Sequence, residues 1–114
     1  MIDRESYKKQ GYLLLRRFFD PREIDRIRDE AKQIFASQME RLGLVGADRF
    51  SEPEFERGMY ALFERDLQAF TNCGKHAQHL ISLHRLSLDE RIFGLLKELG
   101  LEAPSISTRP VLYF

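Results

Sequence analysis

The sequence predicts an α+β fold in which a layer of amphipathic helices is flanked by an apolar strand on either side, all within one partial domain spanning residues 1–114. This expectation rests on a short apolar run bounded by charge near the N-terminus, on serial helix-start signals that each precede a stripe of apolar residues, and on a change to strand character after Pro104. At 114 residues the chain is within the range of a single domain, with little core to spare.

The first element is a strand over 11–16. Gly11-Tyr12-Leu13-Leu14-Leu15 is apolar and bounded by charge, and Arg16-Arg17 carry the backbone on to Phe18-Phe19. A helix over about 21–42 follows. Asp20 is placed as its N-cap, Pro21 takes the first helical position and Glu23 completes a capping box. Ile24, Ile27, Ala31, Ile34, Phe35, Met39 and Leu42 then fall at steps of three and four along one face, and Gly43 supplies a stop. Arg22, Asp25, Arg26, Asp29, Glu30 and Lys32 belong to the solvated faces.

Leu44 to Arg49 reads as a glycine-containing loop. Ser51 with Glu54 repeats the capping logic for a helix over about 52–72, whose stripe is Phe55, Met59, Leu62, Phe63, Leu67 and Phe70. Such a stripe can line an apolar pocket, but at this spacing the core reading is favoured. Gly58 weakens this helix without breaking it. Asn72-Cys73-Gly74 marks a break or kink, after which helices over about 75–86 and 88–99 are expected. Ser87 and Glu90 cap the last of these, Ile92, Leu95, Leu96 and Leu99 form its buried face, and Gly100-Leu101 gives a Schellman end. Ile27, Phe63, Leu96 and Leu13 are expected to be buried where the helices meet the strands. The final element is a strand over 105–114, with Pro110 at an edge, a bulge or the strand's start. A strand ending on Val111-Leu112-Tyr113-Phe114 leaves apolar side chains and edge groups uncovered, so Phe114 reads as a truncation point inside a larger fold and the exposed strand as a route to self-association.

Composition narrows the function classes. Eighteen basic residues balance eighteen acidic ones, which argues against nucleic acid as a partner. The single cysteine, Cys73, excludes an intramolecular disulfide and fits a reducing, cytoplasmic setting. Apolar runs stop after a few residues, far short of the ~20 needed to span a bilayer.

Four groups of side chains merit weighing as sites. His76, His79 and His84 are all of the chain's histidines, and His76 and His79, three apart on a helix, would share a face and could reach one metal ion. No Asp or Glu nearby supplies a further ligand, so structural hydrogen bonding is favoured and no metal site is assigned. Cys73 beside Gly74 and Lys75 would be an activated thiol if a helix began there; a half-buried apolar role is favoured. Ser107, Thr108 and Arg109 are the best substrate-pocket candidates, Ser107 and Arg109 on one face of the strand and Thr108 on the other. An enclosed Arg109 would need an anionic partner such as a ligand carboxylate, whereas a rim Arg109 would pair with an Asp or Glu. Tyr12, Arg16 and Arg17 suit a substrate entrance or plain packing equally well.

The stretch Tyr7 to Ala31, YKKQGYLLLRRFFDPREIDRIRDEA, resembles the N-terminus of the phytanoyl-CoA dioxygenase family of non-haem iron, 2-oxoglutarate-dependent oxygenases. Gly11, Tyr12, Leu13 to Leu15, Arg16, Phe18, Phe19, Pro21, Glu23, Ile24, Asp25 and Arg28 carry the resemblance, and Ile106 to Leu112 looks like the first strand after that family's N-terminal helices. The resemblance implies that the strands are the first of a double-stranded β-helix, or jelly roll. It also implies a full-length enzyme that binds Fe(II) and 2-oxoglutarate and hydroxylates a small organic substrate. The family's His-x-Asp pair is absent: His76 is followed by Ala77-Gln78, His79 by Leu80-Ile81 and His84 by Arg85-Leu86. This segment is therefore expected to be inactive alone, with no catalytic residue and no cofactor of its own. The alternative is a non-catalytic helical protein-interaction module whose final strand pairs with a partner's sheet edge.

Overall fold

A computed structural model describes residues 2–45 and 51–113. It contains six helices in the order α1 (Arg4–Gln10), α2 (Pro21–Arg41), α3 (Glu52–Arg65), α4 (Leu67–Ala77), α5 (Ile81–Ser87) and α6 (Glu90–Glu98). No strand occurs among the described residues, so the fold is all-helical and the α+β, jelly-roll expectation is corrected.

The physical reason lies in what flanks the two apolar runs. Gly11, read as a strand start, is instead the left-handed C-cap of α1 at φ 81°, and its N–H donates to the Tyr7 carbonyl. Residues 12–15 form no regular element, and Arg16-Arg17 turn, with Arg17 at φ 55°. Leu14 and Leu15 are exposed and Leu13 is half-buried. Residues 105–113 likewise form no regular element and bend at Thr108; Phe114, the end of that expected strand, lies outside the described residues. A strand needs a partner to satisfy its backbone groups, and neither run meets one.

The helix-start signals fare better. Asp20 caps α2 with the full box: its side chain accepts from the Arg22 N–H, and the Asp20 N–H donates to Glu23 at 3.2 Å. Ser51 caps α3 through the Glu54 N–H. Gly43, at φ 69°, ends α2, with the Leu44 N–H reaching back to the Met39 carbonyl at 2.8 Å. Gly100, at φ 94°, does the same for α6, where Leu101 N–H reaches Leu96 at 2.9 Å; both are Schellman ends. The expected loop over 44–49 falls mainly on residues outside those described.

Two boundaries move. The helix expected over 52–72 breaks at Asp66, which leaves helical geometry at φ −151°, ψ 83° and uses its carboxylate to cap α4 through the Ala69 N–H. The expected break at Asn72-Cys73-Gly74 is uninterrupted helix within α4. The last helix is capped by Asp89 rather than by Ser87, whose hydroxyl donates to the His84 carbonyl at 2.7 Å.

The core lies where α2, α3 and α4 meet. Ala31, Phe35 and Met39 from α2, Phe55 and Leu62 from α3, and Cys73 and Ala77 from α4 form one buried cluster. The Phe35 ring meets Phe55 edge-on at 6.5 Å and Phe70 at 5.7 Å, both within the range of favourable aromatic contacts. Gly58 permits the close approach of α3 to α2. A methyl group there would stand 2.6 Å from Met39 Sδ and 2.7 Å from Val45 Cγ1.

Of the four residues expected to be buried, Ile27 is, Leu13 and Leu96 are half-buried, and Phe63 is 50% exposed. The break at Asp66 turns the chain before the stripe can continue, which leaves Phe63 and Leu67 at its edge. α1 and α6 bury no residue completely. The described residues extend 53 × 25 × 24 Å with a radius of gyration of 18.0 Å, against about 13 Å for a compact chain of this length.

Candidate functional site: an apolar groove and a buried lysine

An apolar groove of about 1010 Å³ is bounded by α2, α3 and α5. Ile24 and Ile27 come from α2, Phe55, Met59 and Phe63 from α3, and Leu83 and Leu86 from α5, with Phe70 behind them and Leu112 and Tyr113 at one side. Its aromatic wall is continuous with the core, since Phe63 meets Phe70 edge-on at 5.3 Å. Tyr60 and Phe63 nevertheless stand 66% and 50% exposed on its rim.

Lys32 is the buried charged residue of this groove. It is only 5% exposed, yet its ammonium reaches Glu52 Oε1 at 2.5 Å and lies 5.0 Å from the centre of the Phe55 ring. The aliphatic stem is thus packed while the charge is carried to the rim, where Glu52 remains largely solvated. The hydrogen bond from Lys32, reinforced by its charge, holds the Glu52 carboxyl below the usual carboxylate range. Lys32 was assigned to a solvated face, but its spacing from Phe35 and Met39, three and seven residues on, places it beside the apolar stripe. That spacing was the signal for its burial.

A second, more polar groove of about 510 Å³ runs between α2 and α4. Gln33, Ser37 and Arg41 line one wall, Gln68, Asn72 and His76 the other, and Ile34, Ala69 and Cys73 the floor. Cys73 is buried mid-helix, 3.8 Å from the Ile34 carbonyl oxygen, and burial pushes its thiol up rather than down. With α4 beginning at Leu67, no helix N-terminus is present to activate it.

The histidines separate. α4 ends at Ala77, so His76 and His79 do not share a helical face. His76 lines the polar groove, whereas His79 stacks on His84 with ring centres 6.5 Å apart. His79 Nδ1 pairs with the Lys75 carbonyl at 2.7 Å and His84 Nε2 with the Gln78 carbonyl at 3.0 Å. Among the described residues no group of three His, Cys, Asp or Glu side chains is placed to hold a metal ion.

Ser107, Thr108 and Arg109 are exposed on the irregular C-terminal segment and line neither groove. Arg109 has no acidic side chain paired with it among the described residues; its Nε donates to Gln78 Oε1 at 3.2 Å. Tyr12, Arg16 and Arg17 are also exposed and away from both grooves.

A polar clamp joins the ends of the helical array. Arg91 donates to Asp89 and to both carboxylate oxygens of Glu23, and its guanidinium lies 5.0 Å from the Phe19 ring centre. These bonds hold Asp89 at about 2 and raise the Arg91 value further. Phe19 meets Phe18 edge-on at 4.9 Å, so the aromatic pair before α2 is part of the same junction.

Among the described residues no helix is long and apolar enough to cross a membrane. No family model, curated protein or solved structure matches the chain.

Proposed function

We propose that the chain is the N-terminal helical part of a cytoplasmic non-haem Fe(II)/2-oxoglutarate-dependent dioxygenase that hydroxylates a small organic substrate, and that this part supports the enzyme rather than performing its chemistry. What favours this reading is the structural use made of the residues that resemble the phytanoyl-CoA dioxygenase family. Gly11 closes α1, Phe18 and Phe19 pack together, Pro21 and Glu23 start α2, and Phe19 and Glu23 receive Arg91 from α6. The donor set such an enzyme uses for iron, a His-x-Asp pair with a distant His, is not met by the described residues. Anaerobic titration of the 114-residue chain with Fe(II) and 2-oxoglutarate should give no stoichiometric micromolar binding. A reading frame continuing past Phe114 should contain the His-x-Asp pair, and the longer polypeptide should release succinate with its substrate. A stop codon after Phe114 in a gene whose product is a cooperatively folded monomer overturns the oxygenase reading.

A second reading, a non-catalytic interaction module, is favoured by one specific observation. The groove between α2, α3 and α5 leaves Tyr60 and Phe63 exposed beside half-buried Met59 and Phe70. An apolar surface of this kind marks a contact site more often than bulk solvent-facing surface.

A further inference from the structure

We infer that the apolar groove is a docking site for a basic amphipathic helix of a partner protein, a binding role that goes beyond the oxygenase reading. The shape of the groove and the charges on its rim both indicate that occupant. Glu56 and Glu64 both line the α3 side, and among the described residues neither has a hydrogen bond or ion pair. They are eight positions apart, about 12 Å along the helix at 1.5 Å per residue. Tyr60 and Phe63 project between them. A helix laid along α3 presents residues seven or eight apart on one face at nearly the same interval, so two lysines or arginines there would meet the two carboxylates while the leucines between them cover Tyr60 and Phe63. The other charges at the groove are already engaged: Lys32 with Glu52, and Arg28 with Asp25 at 3.5 Å. Leu112, packed against the core at the groove's side, shows that the walls accept a leucine side chain.

The test is fluorescence anisotropy of the full chain with labelled helical peptides of about 18 residues, long enough to hold a helix. One carries a leucine stripe with lysines two turns apart, one carries glutamates in place of the lysines, and one carries the lysines with the leucines changed to serine. The lysine–leucine peptide should bind at least about tenfold more tightly than either other peptide, and Glu56→Lys with Glu64→Lys should reverse the charge preference. Phe63→Asp, an exposed position, should abolish binding while circular dichroism shows the helices retained. Equal binding of the lysine and glutamate peptides, or tight binding that survives Phe63→Asp, overturns the proposal. So does a groove-dependent dimer in sedimentation, which would make a second copy the occupant. None of these outcomes depends on the presence or absence of iron chemistry, so the oxygenase reading stands or falls separately.

Discussion

Arg91 on α6 grips Glu23 in the first turn of α2, with Nη2 3.1 Å from each carboxylate oxygen and 68 positions separating the two residues. The same Glu23 side chain accepts the Asp20 N–H, so one carboxylate both starts α2 and anchors a distant helix. α6 has no completely buried side chain, and this polar junction is a principal tie to the rest of the molecule.

Acid should loosen that junction first. Asp89 is held at about 2 by hydrogen bonds from the Arg91 side chain and backbone, below its unfolded range near 4. A carboxylate whose folded value is depressed adds stability above its unfolded value and loses it as pH falls through the folded one. Helix content should therefore fall between about pH 4 and pH 2 in circular dichroism, and Arg91→Gln should flatten that dependence. An identical acid profile in the variant counts against the clamp.

Leu62 and Phe63 are adjacent yet should respond in opposite ways to truncation. Leu62 is wholly enclosed, so Leu62→Ala should lower stability by about 2 to 5 kcal/mol. Phe63 is half exposed, and its replacement by Ala should cost only about 1 kcal/mol, well below the figure for a buried ring. Urea denaturation midpoints compare the two directly, and equal losses would refute the observed phase of α3.

Gly58→Ala sets two effects against each other. Alanine improves helix propensity by about 1 kcal/mol, but the added methyl would overlap Met39 Sδ and Val45 Cγ1, and overpacking costs about 1 to 3 kcal/mol. The expected result is a net loss of stability, and because the two side chains share one space, the double variant with Met39→Ala should lose less than the sum of the two single losses. A raised midpoint in the single variant would show that α2 and α3 are further apart than the contact requires.

Lys32 and Glu52 should behave asymmetrically. Glu52→Gln leaves the ammonium of a largely enclosed lysine facing a neutral group at the rim and should destabilise the fold, whereas Lys32→Met keeps the packed stem, removes the charge and should be neutral or stabilising. Thermal melts of both variants test this. A larger loss for Lys32→Met would mean that the charge, not the stem, holds α2 to α3.

The helices were legible because their signals are local. Asp20, Pro21 and Glu23, or Gly100 and Leu101, act through neighbours a few residues away, and their geometry is observed as the spacing implies. Strand character is not local. Leu13 to Leu15 and Ile106 to Leu112 have strand-like composition, but a strand exists only where another pairs with it, and no such pairing occurs among the described residues. Asp66 was hidden for a different reason: an apolar stripe runs across it from Phe63 to Phe70, and the periodicity masked a side chain that caps a new helix. At the groove, the sequence marked Phe55 and Met59 as apolar-facing; Lys32 and Glu52 stand 20 positions apart on different helices, and no local spacing rule relates them.

The uneven burial of the helices also sets how the chain should open. α2, α3 and α4 share the enclosed cluster, while α1 is tied to α6 by a hydrogen bond from Arg4 to the Glu98 carbonyl and buries no side chain completely. Amide protons of α1 and α6 should accordingly trade with solvent deuterium through fraying, long before those around Phe35 and Met39 require cooperative unfolding. The molecule would then comprise a slow-exchanging three-helix nucleus with two fast-exchanging ends, and binding at α3 could leave the protection of those ends almost untouched.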